Sequence, residues 1–153
     1  MMVTQSARHG FSQAASHISS IEAGQNRRFR QAQTFNRDST IEELWDVWNS
    51  CKERNWDGFG AFPVPQDCYL YAAELVRSLS YNFPAPSFGA EPDGELTIEW
   101  YKSPYRTISL SMTSDGHIHF SAIFGPYDFV NGTTAFNGEL PSDIKALILK
   151  VLR

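Results

Sequence analysis

The sequence predicts an α+β fold, and three observations support that prediction. Two stretches with apolar residues at helical spacing come first, a run of alternating strand-like segments follows, and one more helical stretch comes last. Because helices and strands are segregated along the chain, we expect two helices, then a 3–4-stranded antiparallel meander, then a C-terminal helix packed on one sheet face. A chain of 153 residues suits a single domain with a sizeable core.

The first helix is expected to begin at Ser39 or Thr40. Both are residue types that cap helix N-termini, and acidic Glu42 and Glu43 follow three positions later. The helix should run to about Arg54. Its apolar face consists of Ile41, Leu44, Trp45 and Trp48.

Prolines place the other two helices. Pro65 and Pro141 each suit a helix entry, because the fixed φ of proline fits the first turn. The helix after Pro65 should end before Pro84, and its apolar stripe consists of Ala72, Leu75, Val76 and Leu79. The stripe of the last helix consists of Ile144, Leu147, Ile148 and Val151.

Two turn sequences, Pro92-Asp93-Gly94 and Ser114-Asp115-Gly116, divide the region of residues 85–124 into strands. The predicted strands are Ser87–Ala90, Glu95–Tyr101, Arg106–Thr113 and His117–Phe124. Residues 125–139 contain several glycines, prolines and asparagines and are predicted to be a loop, with room for a short strand through Thr133–Phe136.

The N-terminal region differs in charge from the rest. Residues 1–40 carry five basic and two acidic side chains, whereas residues 41–153 carry eight basic and fifteen acidic ones. We therefore predict a flexible basic N-terminal arm over residues 1–38 and a single α+β domain over residues 39–153. The acidic charge of the domain argues against a body that binds nucleic acid.

The densest basic cluster of the arm is Arg27, Arg28, Phe29 and Arg30. Three guanidinium groups beside an aromatic ring could clamp carboxylates on an acidic protein surface, or could grip phosphates and stack on bases. A solvated tail is the third interpretation, and the sequence leaves all three open.

The segment Trp56-Asp57-Gly58-Phe59-Gly60-Ala61 is the most distinctive of the chain. Its glycines indicate a turning backbone or a close approach, and its aromatic rings indicate buried apolar surface. Asp57 suits a turn-capping acceptor or a general base. Because no nucleophile or phosphate cradle accompanies these residues, we interpret Trp56, Asp57, Gly58, Phe59 and Gly60 as a structural motif and predict no catalytic residue.

The histidines His117 and His119 are two positions apart on a predicted strand, so both side chains point to one face. Two histidines are too few for a typical metal site, and we expect them on the solvent-facing side of the sheet. No metal and no cofactor is predicted. The alternative is an enzyme of the hydrolase type, which would bring Asp57, Glu99 and either His117 or His119 together in a cleft.

The residues Asn55 to Ala61, with the Pro-started helix, Pro86, Asp93-Gly94-Glu95 and Ile98-Glu99-Trp100, resemble a family of small uncharacterised bacterial proteins. Members share a Trp-Asp-Gly-(Tyr/Phe)-Gly-Ala motif and a later strand ending in Glu-Trp, and they are often encoded on mobile elements or beside small partner genes. The resemblance covers roughly residues 40–125. It implies no known activity and no catalytic residue.

The function that these features favour is a small cytosolic protein-binding module. An aromatic fraction of 14%, an acidic body and an arm that could fold on a partner suit an inhibitor, antitoxin-like or immunity-like protein that masks a partner surface. The expected contacts are the arm cluster at residues 27–30 and the loop residues Tyr127, Asp128 and Phe129. A nucleic-acid partner for the arm is the weaker alternative.

The two cysteines, Cys51 and Cys68, fit a reducing compartment, and no apolar run is long enough to span a bilayer. A cytoplasmic location without membrane contact is therefore expected.

Overall fold

The computed structural model describes residues 36–153, which form three helices and a five-stranded antiparallel sheet. The helices are α1 (Arg37–Cys51), α2 (Gln66–Ser78) and α3 (Ser142–Leu152). The strands are β1 (Ser87–Ala90), β2 (Leu96–Ser103), β3 (Arg106–Met112), β4 (His117–Ile123) and β5 (Phe129–Ala135). The α+β class is confirmed, but the prediction of three or four strands is wrong by at least one.

Helix α1 begins at Arg37, two or three residues earlier than predicted, and Asn36 is its N-cap residue. Its side-chain oxygen accepts hydrogen bonds from the backbone N–H groups of Asp38, at 3.1 Å, and Ser39, at 3.3 Å. Thr40 lies inside the helix, and its hydroxyl donates a hydrogen bond to the backbone carbonyl of the N-cap residue Asn36 at 2.7 Å. The helix also ends at Cys51, short of the predicted Arg54.

The start of α1 is tied to the end of α2 by Arg37. Its guanidinium donates to the carbonyl of Leu79 at 2.8 Å and lies over the ring of Tyr81, 4.5 Å from the ring centre. Arg37 therefore contacts the folded domain, although its place in the sequence put it in the predicted arm.

The sheet is a simple meander in which each strand pairs with the next one along the chain. Both predicted turns are present: the Glu91 N–H donates to Glu95 at 2.9 Å across the first, and the Thr113 N–H donates to His117 at 3.0 Å across the second. Short connections of this kind keep consecutive strands antiparallel and adjacent.

Strand β5 occupies most of the region that was predicted to be a loop. The dipeptide Asn131-Gly132 is typical of a hairpin turn, but it lies in the middle of this strand. Gly132 pairs with Phe120 of β4, and a Cβ atom at Gly132 would lie only 2.7 Å from the Phe120 ring. The aromatic ring fills the space that glycine leaves, which explains how glycine serves as a strand residue here.

The core lies between the helices and one face of the sheet. Alternate strand residues are buried on that face, among them Leu96, Ile98, Trp100, Ile108, Leu110, Met112 and Ile118. Both buried indoles have a backbone partner, since Trp48 donates to Val64 at 3.0 Å and Trp100 donates to Pro84 at 2.8 Å. The opposite face, called the open face below, carries mainly Ser, Thr, His and Glu side chains.

Among residues 36–153, none of the helices combines the length and the apolar character that crossing a bilayer requires.

Candidate functional site

The glycine loop, residues 55–61, is held by its own backbone and polar side chains. Asn55, Gly58 and Gly60 have φ angles of 62°, 77° and 88°, a region in which glycine is unstrained and asparagine is tolerated. The side chains of Asn55 and Asp57 accept hydrogen bonds from backbone N–H groups of the loop. The Gly60 N–H donates to Asn55 Oδ1 at 2.7 Å, and the Phe59 N–H donates to Asp57 Oδ1 at 2.8 Å. The turn is therefore held by hydrogen bonds between residues of the loop itself.

The end of the same loop is hydrogen-bonded to the turn between β1 and β2. The Phe62 N–H donates to the Pro92 carbonyl at 2.8 Å, and the Trp56 indole donates to the Phe62 carbonyl at 2.9 Å. Trp56 packs against the core, whereas the Phe59 ring is 72% exposed. The expectation of buried aromatic surface therefore holds for Trp56 and not for Phe59.

The tip of the β4–β5 hairpin carries the predicted contact residues Tyr127, Asp128 and Phe129. The Tyr127 side chain is 95% exposed and that of Phe129 is 56% exposed. Val130, the next residue of β5, is also exposed but points to the opposite face of the sheet from Phe129. Exposed aromatic side chains such as those of Tyr127 and Phe129 are typical of a protein-contact site. Sequence reasoning placed these three residues in a loop and missed Val130, because strand β5 was not predicted.

Lys150 of α3 contacts the hairpin tip. The ammonium group of Lys150 lies 3.4 Å from the Asp128 carboxylate and 3.9 Å from the centre of the Phe124 ring. The Phe124 N–H donates to the Asp128 carbonyl at 2.8 Å and closes the turn. Tyr127 is thus presented on an ordered turn, which lowers the entropy that a contact there would lose.

The other predicted contact group, Arg27, Arg28, Phe29 and Arg30, lies outside the described residues 36–153.

The residues of the hydrolase alternative are not assembled into one group by the described structure. Asp57 accepts hydrogen bonds from the N–H groups of Phe59 and Ala61 in the glycine loop. Glu99 pairs with Ser109 in register, whereas His119 pairs with Ser111, one strand further along the sheet. Glu99 and His119 therefore share the open face but are separated by two strand spacings, roughly 10 Å, and by two residues along the strands.

His119 instead contacts Glu95, a residue that the sequence analysis did not single out as a site residue. Its Nε2 atom lies 3.5 Å from Glu95 Oε1, and its Nδ1 atom lies 2.7 Å from the Thr133 hydroxyl. Glu95 follows the first hairpin turn and lies 24 residues from His119 in the sequence. The strand register places Thr97, Ser111 and His119 in one row, so the contact with Glu95 is a diagonal one that depends on side-chain orientation. The alternation of His117 and His119 correctly indicated the open face.

Glu91 lies at the other end of the same turn and is held by two hydroxyl groups. Ser111 donates to its carboxylate at 2.5 Å, and Thr97 donates at 3.4 Å. Burial raises the pKa of Glu91, and the neighbouring Asp93 charge adds to the rise. Burial likewise raises the pKa of Glu95 to about 7, with further increases from Asp93 and Glu91. This corner of the open face can therefore take up a proton near neutral pH.

Oxygen atoms of Glu91, Asp93 and Glu95 lie within 4.8 Å of one another, and they are a group of three possible metal ligands among residues 36–153. Acidic groups at a turn are common without an ion, so the spacing alone does not make a metal centre. The two thiols offer no nucleophile, because both are buried and burial raises the pKa of Cys51 and raises that of Cys68 to about 11.

Comparison of the chain with protein-family models, with curated protein sequences and with solved structures gave no match.

Proposed function

We propose that this protein is a small cytoplasmic protein-binding module whose described contact surface is the tip of the β4–β5 hairpin, residues 127–130. The observation that carries the proposal is the nearly complete exposure of Tyr127 on a turn that the hydrogen bond from the Phe124 N–H to the Asp128 carbonyl closes. Large aromatic side chains dominate the energetics of protein interfaces, and a fixed one loses little entropy on binding.

The charge of the body indicates the kind of surface that the module fits. Residues 41–153 carry eight basic and fifteen acidic side chains, so a basic partner surface is electrostatically complementary. The acidic charge of the body suits an inhibitor, antitoxin-like or immunity-like protein that masks a basic surface of its partner. The small bacterial proteins that the chain resembles are often encoded on mobile elements or beside small partner genes, which agrees with a protein-binding role.

The proposal is tested by affinity capture from the native host with the full chain and with two single variants. Tyr127→Ala removes the exposed ring of the tip. Tyr105→Ala is the matched control, because Tyr105 is also an exposed tyrosine (58%) at a hairpin turn, between β2 and β3. We expect one protein to be recovered with the unchanged chain and with Tyr105→Ala, and to be lost with Tyr127→Ala.

A variant of the arm separates the two predicted contact groups. Arg27→Glu combined with Arg28→Glu and Arg30→Glu reverses the basic cluster in the full chain and leaves residues 36–153 unchanged. Loss of the partner with this variant alone would assign binding to the arm, and recovery of the same protein with all variants would contradict the hairpin surface.

A small hydrolase-type enzyme is the second candidate, and the contact between Glu95 and His119 at 3.5 Å favours it. A carboxyl group with a pKa of about 7 beside an imidazole is suited to general acid–base work. A screen of ester and phosphoester substrates tests it with His119→Ala, and His117→Ala two residues away on the same face is the control. Equal activity of both variants would contradict this candidate.

A further inference from the structure

Strand β5 is one edge of the sheet, and its outer backbone groups are unpaired among the described residues. The Phe124 N–H donates to Asp128 at 2.8 Å, and the Phe136 N–H donates to Gly116 at 2.8 Å. Because hydrogen-bonded pairs alternate along an antiparallel ladder, the even-numbered residues of β5 bond to β4. The N–H and C=O groups of Phe129, Asn131, Thr133 and Ala135 therefore point away from the sheet.

Within residues 36–153, strand β5 has none of the devices that commonly protect a sheet edge. The seven residues of β5 contain no charged side chain and no proline, and the register with β4 is continuous from Phe129 to Ala135. The opposite edge, β1, is only four residues long and has helix α1 packed against it. An edge with these properties is a template for another strand.

We propose that β5 pairs with β5 of a second copy of this chain, antiparallel and two-fold symmetric about Gly132. In this register the partner's Thr133 lies opposite Asn131, the partner's Ala135 lies opposite Phe129, and the two Gly132 residues face each other. All eight outward N–H and C=O groups of each strand find a partner, because every hydrogen-bonded pair joins two odd-numbered residues. Two five-stranded sheets become one sheet of ten strands.

The side chains of β5 suit this self-pairing. The pair at the two-fold axis is a non-hydrogen-bonded one, in which Cα atoms approach to about 4.5 Å, and glycine has no side chain to obstruct it. Asn131 and Thr133 are both exposed on the open face and can hydrogen-bond across the pair. No like charges lie opposite each other over residues 129–135, which contain no charged side chain.

The inference does not rest on the proposed function, because the pairing uses the backbone edge of β5 and Tyr127 lies outside the paired residues. The two surfaces share Phe129 and Val130, which belong to both the hairpin tip and the paired strand. A dimer of this kind would present two hairpin tips, one at each end of the new strand pair.

Two double variants of the full chain test the pairing and its register. Asn131→Lys with Thr133→Lys places lysines opposite lysines in both symmetry-related pairs. Asn131→Lys with Thr133→Glu places a lysine opposite a glutamate in both pairs and is the matched control, since both variants lose the same Asn131 and Thr133 side chains. Sedimentation equilibrium over a wide concentration range gives the dimer dissociation constant, and circular dichroism checks that both variants fold.

We expect the unchanged chain to dimerise and the Lys/Lys variant to dissociate roughly tenfold more readily, because two cross-strand repulsions add. The Lys/Glu variant should dimerise at least as well as the unchanged chain. The Lys/Lys variant makes the net charge of −4 less negative, so its dissociation could not be attributed to general repulsion between copies. A monomeric unchanged chain, or the same dissociation constant for both variants, would overturn the proposal.

Hydrogen exchange of the unchanged chain is a second measurement that needs no variant. The amides of Phe129, Asn131, Thr133 and Ala135 should be protected at high protein concentration and exchange quickly on dilution. Protection that does not change with concentration would show that something other than a second copy covers the edge, and would overturn the proposal.

Discussion

The carboxylate of Asp57 accepts a hydrogen bond from the backbone N–H of Ala61, at 3.0 Å, and so closes the glycine loop. The same oxygen, Oδ1, also accepts from the Phe59 N–H at 2.8 Å. One side chain therefore satisfies two backbone donors that would otherwise point into the loop. The aspartate of the Trp-Asp-Gly segment is explained by this structural role.

Replacing Asp57 by alanine should lower the free energy of unfolding by about 1–2 kcal/mol, because two backbone donors lose their acceptor. Asp57→Asn keeps an oxygen at the same position, so its loss of unfolding free energy should be less than half of that of Asp57→Ala. Urea denaturation measures both, with Asp46→Ala on the exposed side of α1 as the control. An Asp57→Ala chain as stable as the control would show that the two hydrogen bonds do not hold the loop.

The backbone conformation at Gly60 should contribute as much to stability as the two hydrogen bonds that Asp57 accepts. Its φ is +88°, and a Cβ atom there would meet nothing within 4 Å. Gly60→Ala should therefore destabilise the fold through strain alone, by about 1–2 kcal/mol. Gly125→Ala is the matched control, because Gly125 also has open space around it and lacks a left-handed φ. Thermal unfolding of the two variants should differ in midpoint, and equal midpoints would contradict the strain.

The helices and the first four strands could be predicted because local patterns specify them. Pro65 and Pro141 lie at the N-caps of α2 and α3, and the turns after Glu91 and Thr113 lie between the predicted strands. In each case the neighbouring residues alone favour one backbone conformation.

Strand β5 and the contact between Glu95 and His119 could not be predicted, because both depend on distant residues. Gly132 is a strand residue only because the Phe120 ring covers it, and Asn131-Gly132 by itself is typical of a turn. Glu95 meets His119 by a diagonal contact, since the register of β2, β3 and β4 places Thr97 and not Glu95 in the row of His119. Tyr127 and Phe129 were singled out by their aromatic side chains, but the contact of Asp128 with Lys150 required the position of α3.

A double-mutant cycle tests the packing of Phe120 on Gly132. A Cβ atom at residue 132 would lie 2.7 Å from Cζ and 3.1 Å from Cε1 of Phe120, so Gly132→Ala must displace the ring. We expect a loss of about 1–3 kcal/mol in the free energy of unfolding. In a Phe120→Leu background the clashing ring atoms are absent, so the same substitution should be much less destabilising. Additive losses would contradict the contact.

The carboxyl groups at the first hairpin turn should make stability depend on pH. The pKa of Glu95 is raised, chiefly by burial, from 4.5 in a free carboxyl group to about 7 in the fold. Between these values the folded chain binds a proton that the unfolded chain has released. The free energy of unfolding should therefore fall as the pH rises from 4.5 to 7, and Glu91, whose pKa is also raised, adds to the same trend.

Glu95→Gln should flatten this part of the stability profile, since glutamine remains neutral at every pH. The free energy of unfolding of Glu95→Gln should exceed that of the unchanged chain most clearly above pH 7. There the unchanged chain carries an ionised Glu95 carboxylate close to Asp93 and Glu91. Urea denaturation at several pH values measures the slope, and Glu42→Gln on the exposed face of α1 should leave it unchanged. A Glu95→Gln profile as steep as that of the unchanged chain would show that another group titrates in this range. A profile that rises toward pH 7 would contradict the burial of the Glu95 carboxylate.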